Sequence, residues 1–418
     1  MSVRIRLGAM MFLTYAFQGI WVIPLGAFLL KSGYTGTQVG SVYGTIAIGC
    51  IISPIFVGRV ADRFFNAEKI LGALNILSAV LLFIAAKLVL TSDGAPNFQV
   101  FYALILAHAL CYMPTWALTN TVTLNQCTNP ASQFPPLRGM GTLGWIVVSM
   151  TCLVVNTVQG DAAVRFELSD LPLKIGAAIG LIAGIQAFFL PKTPPKDLGG
   201  SEKSSIADIL GLKALDLFKD RNFLVFALTS FLIMFPGMFY WAFGNAYLQE
   251  SGMDNSPAWQ SGGQMTEIIF IFMMPLFFRY FGVKKMLLLG MAAWILRFFC
   301  FSIGIWDFGS GMMWTVVLIG ILLHGPCFDF FFVTGQLYTN KKAPKEMQAQ
   351  AQSLISQITF GLGWLVGATV AGKVVDMYVV AEGGHTWSKV WLYPAGMAIA
   401  IAVFFMIAFR DKVMVSKD

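Results

Sequence analysis

Residues 192–220, KTPPKDLGGSEKSSIADILGLKALDLFKD, form the longest polar stretch in a chain of 418 residues. On both sides of it the sequence is dominated by long apolar runs. They read as spans near 5–30, 38–60, 68–91, 98–122, 130–158, 172–191, 221–248, 260–280, 284–305, 311–337, 349–377 and 388–409. A helix needs about 20 apolar residues to cross about 30 Å of hydrocarbon, and each run is long enough. Internal glycines and prolines, with no short alternating segments, argue against β-barrel strands. The expected fold is an all-α polytopic membrane protein with 12 transmembrane helices. It has two six-helix halves, 1–191 and 221–418, joined by a linker at 192–220.

Composition leads to the same place. Hydrophobic residues make up 57% of the chain and charged residues 12%, against roughly 25% charged in soluble domains. So few charges cannot cover the surface of a soluble protein, so lipid must cover most of it. The net charge of +7 is concentrated in alternate connections: Arg4/Arg6, Arg59/Arg63/Lys69, Lys192 to Arg221, Arg279/Lys284/Lys285, Lys341/Lys342/Lys345 and Arg410/Lys412/Lys417. The other connections hold little beyond Lys31, Arg165 and Lys389. This is the positive-inside pattern, and it places both termini in the cytoplasm. The basic excess is thus a topology signal and calls for no nucleic-acid partner.

Cys50, Cys111, Cys127, Cys152, Cys300 and Cys327 lie in spans or near their ends. They show neither zinc spacing nor a disulfide framework, so no metal is expected. The basic N-terminus is similar to a signal peptide's, but its apolar run continues with no A-x-A site. It reads as an uncleaved first span. No Walker loop, nucleotide-binding domain or nucleophile elbow appears, which excludes an enzyme and a cofactor. Energy must then come from a gradient.

Within the linker, Ile206, Ile209, Leu210, Leu212 and Leu215 fall near helical spacing with charges between them. That suits an amphipathic helix on the cytoplasmic surface; a loose linker is the alternative. Weak internal symmetry appears elsewhere. Gly58-Arg59-Val60-Ala61-Asp62-Arg63 stands between spans 2 and 3, and Arg279-Tyr280-Phe281-Gly282-Val283-Lys284-Lys285 between spans 8 and 9. Both read as tight basic connections. Six plus six spans with matching loops resemble the major facilitator architecture, in which two parallel-related halves surround a midplane cavity. The G-x-x-x-D-R pattern of Gly58, Asp62 and Arg63 resembles that superfamily's signature loop. Its expected role is conformational: Gly58 permits close helix approach and Asp62 pairs with cations or caps a helix end.

Charges inside spans are costly and mark function by default. Four stand out: Arg138, Glu267, Arg297 and Asp329. Arg138 follows Asn129-Pro130, an N-cap with proline at the first helical position, and the loosening pair Pro135-Pro136. Arg138, Thr142 and Trp145 share one helical face. A cation, a hydroxyl and an aromatic ring there form a polar-aromatic ligand wall; snorkelling to phosphate is the alternative for Arg138. Gln264 and Glu267 are three apart on another face. A lone carboxylate in a span suits a proton-coupled carrier, because neutralising it makes crossing cheaper; pairing with Arg297 is the alternative. Asp329 sits in His324-Gly325-Pro326-Cys327-Phe328-Asp329-Phe330-Phe331-Phe332. Phe328 offers a stacking face for a flat ligand while Asp329 accepts its hydrogen bonds. Arg297 reads as structural. His108 and His385 have no supporting constellation.

Spaced segments run nearly end to end through a pattern. They include Tyr112-Met113-Pro114-Thr115 with Asn120, Phe134-Pro135-Pro136-Leu137-Arg138 with Gly141-Thr142, and Gly211-Leu212 with Leu217-Phe218-Lys219. Phe243-Gly244-Asn245, Ala293-Trp294-Ile295-Leu296-Arg297-Phe298, Phe328-Asp329-Phe330-Phe331, and Gly372-Lys373-Val374-Val375 with Trp387 and Trp391-Leu392 continue it. The chain resembles the bacterial nucleoside:proton symporters, the nucleoside permease branch of the major facilitator superfamily. The resemblance implies uptake of nucleosides with a proton across the bacterial inner membrane by a chain that functions as a monomer. It also implies that Arg138, Thr142, Gln264, Glu267, Phe328 and Asp329 line the nucleoside site, with Trp145 at another aromatic position and Asp329 and Glu267 handling the proton. Two places depart from the family. Its seventh span offers a Gln and an Asn three apart, where this chain has Met238-Phe239-Tyr240-Trp241. Tyr240 or Trp241 then supplies a hydrogen bond and a stacking face. His324 replaces a tyrosine and is a further candidate for proton handling. A symporter for a sugar or other polar metabolite, and a non-transporting sensor on the same scaffold, are the competing functions.

Overall fold

The computed structural model describes residues 2–56, 65–160, 164–194, 212–304, 311–381 and 383–411. The expected G-x-x-x-D-R loop, with Gly58, Asp62 and Arg63, lies outside the described residues. So do Ile206, Ile209 and Leu210 of the linker. The chain forms two compact units, Met1–Ile206 and Ala207–Asp418.

The first unit holds six helical spans. α1 runs Val3–Val22 and, after a break at Ile23-Pro24, Leu25–Lys31. α2 is Gly36–Phe56, α3 Ala67–Lys87 and α4 Phe98–Asn125. α5 is Pro130–Ser149 followed by Thr151–Gln159, and α6 is Leu171–Ala187. Asn129 and Pro130 do open α5, as their sequence suggests. The cap is completed by the Gln133 side chain, whose Oε1 accepts from Thr128 N at 3.0 Å. Leu7 and Met10 of α1 pack with Ala67 and Leu71 of α3, Leu118 and Val122 of α4, and Ala187 of α6. One apolar cluster thereby ties four spans together.

The first described element of the second unit is a 3-10 helix, Leu212–Lys219. Ala214 is buried, with Leu217 and Phe218, against Ala343, Ala351 and Leu354, while Leu212 and Leu215 stay exposed. α7, Arg221–Glu250, follows at once and is capped by Asp220, whose Oδ1 accepts from Asn222 N at 2.7 Å and Phe223 N at 3.2 Å. This satisfies two of the amides a helix start leaves bare.

The Arg279–Lys285 segment is not a loop. Ser256–Ile303 is one helical stretch of 48 residues interrupted only at Gly282, with φ 65° and ψ 176°. Glycine adopts that conformation at no steric cost, so one residue separates α8 (256–281) from α9 (283–303). Lys284, just past the break, donates from Nζ to the carbonyls of Met406, at 3.0 Å, and Phe409.

α10 consists of Gly311–Leu322, His324–Phe328, a π-helical turn Asp329–Val333, and Thr334–Lys342. α11 has the same design: Gln348–Ser356, a π-helical turn Gln357–Gly363, and Trp364–Asp376. α12 is Trp387–Ala408. Single π-turns inside α-helices occur frequently at functional sites. Among the described residues, nine helical stretches are long and apolar enough to cross a membrane, and Ser256–Ile303 is one of them. That stretch is long enough for two spans, and with α2 and the shorter α6 the helices number twelve.

Candidate functional site

In the first unit, Arg138, Thr142 and Trp145 share the face of α5 that meets α1. A Cβ on Gly144 would collide with the Phe12 carbonyl oxygen, so the two helices touch backbone to backbone. Membrane helices gain packing through such small residues. The Arg138 Cζ lies 4.2 Å from the Tyr15 ring centroid, a cation–π contact. The Trp145 ring covers Gly19, where a Cβ would come within 3.0 Å. The stripe is therefore backed by α1 and does not stand free. Tyr15 in turn packs on Trp116, with ring centroids 4.9 Å apart. Trp116 Nε1 donates to Tyr112 Oη at 3.0 Å, and Tyr112 donates to the Thr14 carbonyl. Among the described residues, Trp145 Nε1, Gln18 Oε1 and Asn120 Oδ1 are buried without a hydrogen-bond partner.

In the second unit, α8 and α10 meet at a glycine seam. A Cβ on Gly325 would lie 2.6 Å from the Thr266 carbonyl oxygen, and one on Gly263 would lie 2.8 Å from the His324 Cβ. Thr266 Oγ1 clasps the seam, accepting from Gly325 N at 3.0 Å and donating to the Leu322 carbonyl at 2.9 Å. The close approach brings Glu267 of α8 within electrostatic reach of Asp329 of α10. Asp329 is 2% exposed, and its Oδ2 has no hydrogen-bond partner among the described residues. Gln264 Oε1 and His324 Nδ1 are likewise buried and unpartnered. A buried polar atom without a partner is destabilising by about 1–3 kcal/mol. Gln264 Oε1, His324 Nδ1 and Asp329 Oδ2 thus set buried polar atoms on the two helices that carry the pair of acids.

Tyr240 and Trp241 of α7 take different neighbourhoods. The Tyr240 ring is 5.5 Å from His324 and lies under the Arg297 guanidinium at 4.1 Å. Arg297 is fully buried, and it is held by carbonyls and rings. Its Nε donates to Gly320 O at 2.9 Å, and Trp294 lies 5.0 Å away. Helix-end carbonyls of α10 and two aromatic faces hold it. Trp241 instead stacks parallel to Trp364 of α11, with centroids 5.5 Å apart and planes at 4°. Phe328 reaches His324 at 6.1 Å and Phe332 at 5.0 Å. The structure therefore gathers Tyr240, Trp241, Gln264, Glu267, His324, Phe328 and Asp329 on α7, α8 and α10 of one unit. Arg138, Thr142 and Trp145 share one face in the other.

Sequence reasoning missed Tyr15, Trp364 and the amide cluster in which Asn245 Nδ2 donates to Ser256 Oγ at 2.9 Å and Gln260 Oε1 at 2.8 Å. Tyr15 and Trp364 are aromatic residues in apolar runs and carry no contrast there. Among the described residues, no group of histidines, cysteines or acids could hold a metal ion.

The arrangement can be set beside known proteins. A family model described as nucleoside H+ symporter matches residues 1–414. The protein YegT of Escherichia coli (strain K12) is 40% identical over 417 residues, covering 99% of this chain and 95% of that protein. Xanthosine permease of the same organism is 32% identical over 425 residues, covering 98% of this chain and 96% of that protein. The crystal structure of the nucleoside transporter NupG superposes with a TM-score of 0.85 at 29% identity, covering 99% of this chain and all of that one. The fold, two six-helix units of the major facilitator type, is the one the sequence suggested. The chain belongs to the nucleoside H+ symporter family.

Proposed function

We propose that this transporter imports a nucleoside together with a proton, with Asp329 and Glu267 as the proton-handling pair. The observation that carries the proposal is Asp329 itself: a buried carboxylate with one oxygen unpartnered, beside a second carboxylate, in a π-turn between aromatic rings. A charge in that setting is costly unless it is neutralised or bonded. A proton meets the first condition and a ribose hydroxyl or base N–H meets the second. Binding of solute and proton at one place is what couples them.

The remaining groups fit a flat, polar solute. Phe328 and Trp241 offer ring faces for a base, where stacking contributes roughly 1–3 kcal/mol in other base-binding sites. Gln264 and His324 bring buried polar atoms with no present partner. The first unit carries its own polar-aromatic face, with the Arg138 cation, the Thr142 hydroxyl and the buried Trp145 N–H. Alternate exposure of the site to the two sides of the membrane completes the cycle. The basic connections favour cytoplasmic termini, and one chain suffices.

Uptake of labelled uridine and adenosine into proteoliposomes, with and without an inward proton gradient, tests this. Saturable, gradient-driven uptake of at least one is expected. Absence of saturable uptake of either would sink the nucleoside assignment, and uptake indifferent to pH and uncoupler would leave a facilitator.

A further inference from the structure

Arg138 lies in α5 past its opening residue Pro130, about 12 Å along the helix from that end. Two tendencies favour sending its side chain back the same way. Helical side chains lean toward the helix N-terminus, and a long cation in a span snorkels to the nearer interface. The guanidinium instead lies over the Tyr15 ring of α1, with Cζ 4.2 Å from the ring centroid.

The seat of the ring explains the choice. Gly141 is three residues farther along α5, and a Cβ there would come within 2.6 Å of Tyr15 Cδ2. The ring fills the place of the missing side chain. Trp116 of α4 packs on it with centroids 4.9 Å apart, and Trp116 is fixed in turn by its Nε1, which donates to Tyr112 Oη at 3.0 Å. A buried ring held from α4 and α5 is a firm platform. Seated against Gly141, it ties the cation to a level farther into the span. Arg297 makes the contrast: it is fully buried, and the Gly320 and Ile321 carbonyls take its donors. Arg138 is half-buried, and among the described residues no carboxylate lies at ion-pair distance from it. A ring face holds the charge and leaves most of the fork's N–H donors uncommitted.

We propose that Tyr15 is a positioning residue for solute binding. Its ring holds the Arg138 guanidinium inside the span, where the fork meets an oxygen of the solute. The inference rests on the nucleoside reading, and it adds a first-span residue that acts through another side chain.

The test measures uptake kinetics of labelled uridine and adenosine by the full-length chain in proteoliposomes, beside a thermal melt. Tyr15→Leu is expected to raise KM about tenfold with kcat within about twofold. Tyr15→Phe keeps the ring and should stay within about threefold of the wild type. Because the ring acts through the cation, Tyr15→Leu should add nothing to the KM of Arg138→Met when the two are combined. Should Tyr15→Leu not fold, Gly141→Ala takes its place, since the added Cβ dislodges the ring without removing it. It is expected to raise KM about threefold, and an unchanged KM there would overturn the proposal. So would an unchanged KM in Tyr15→Leu, a Phe variant as impaired as the Leu variant, or a full further loss when Tyr15→Leu is added to Arg138→Met. A wild type that takes up neither nucleoside would overturn the nucleoside reading along with the inference. Saturable wild-type uptake with the Tyr15 variants unchanged would remove this inference alone.

Discussion

Each unit buries one histidine in its fourth helix, and the two are held by different neighbours. His108 of α4 is 1% exposed, and its Nδ1 donates to the Ser78 carbonyl at 2.9 Å. Three rings enclose it: Trp21 at 5.3 Å, Phe17 at 5.5 Å and, four residues on, a parallel Tyr112 at 5.6 Å. His324 of α10 is 4% exposed and also stacks on the aromatic four residues on, Phe328. Its Nδ1 has no partner, and the residue after Phe328 is the unpartnered Asp329. Ring type, depth and the spacing to the next aromatic are shared. Each ring leaves one buried nitrogen without a hydrogen-bond partner among the described residues, Nε2 of His108 and Nδ1 of His324. What differs is the neighbour: His108 is tied to a carbonyl of α3 and holds spans 3 and 4 together, whereas His324 stands five residues before Asp329.

The largest expected effect comes from the acid five residues after His324. Asp329→Asn keeps the shape but cannot exchange a proton. Proton-driven nucleoside accumulation should fall by about 100-fold or more. The melting temperature should hold or rise, because a buried charge without a partner is removed. Uptake driven by a pH step, measured beside a thermal melt, checks both. Unchanged accumulation would take Asp329 out of the site and with it the contrast between the two units.

The histidines themselves come next. His324→Phe should lower nucleoside uptake about tenfold through the lost polar contact while the protein melts as before. His108→Phe should do the reverse, lowering stability by about 1–2 kcal/mol with the uptake KM unchanged. Paired uptake kinetics and thermal melts decide it. If His108→Phe changes KM and His324→Phe changes only the melt, the assignment of roles is inverted.

Why sequence showed one side of this contrast and not the other is a matter of what stands out. Glu267, Arg138 and Asp329 are legible because charge inside an apolar run is rare and costly. The twelve spans are legible because hydrocarbon thickness sets their length. The break at Gly282 is harder: basic residues signal a connection, but one glycine with positive φ is all the backbone needs. Trp364 and the π-turn ahead of it leave no pattern at all, since a register shift of one residue changes which face packs without changing composition. Tyr15 and Arg138 are partners across 123 positions of sequence, a contact that only helix packing creates.

The smallest effect extends the comparison from two histidines to two aspartates of the same unit. Asp220 has everything Asp329 lacks. It caps α7, and Lys342 donates to its Oδ2 at 2.8 Å while also pairing with Asp411 at 2.6 Å. Partial burial alone would raise its pKa, but the Lys342 hydrogen bond and the amides of Phe223 and Asn222 outweigh it and hold the carboxyl below the usual aspartate range. The sign follows from that depression. The stability Asp220 contributes is complete above the ordinary aspartate pKa and is lost as pH falls through the lowered one. Asp220→Ala should therefore cost about 1 kcal/mol near neutral pH, and the difference from the wild type should shrink in acid. Transport at neutral pH should be altered far less than by Asp329→Asn. Melts of wild type and variant from neutral to acidic pH measure this. A gap that widens in acid would mean that the Asp220 carboxyl is held above the usual aspartate range.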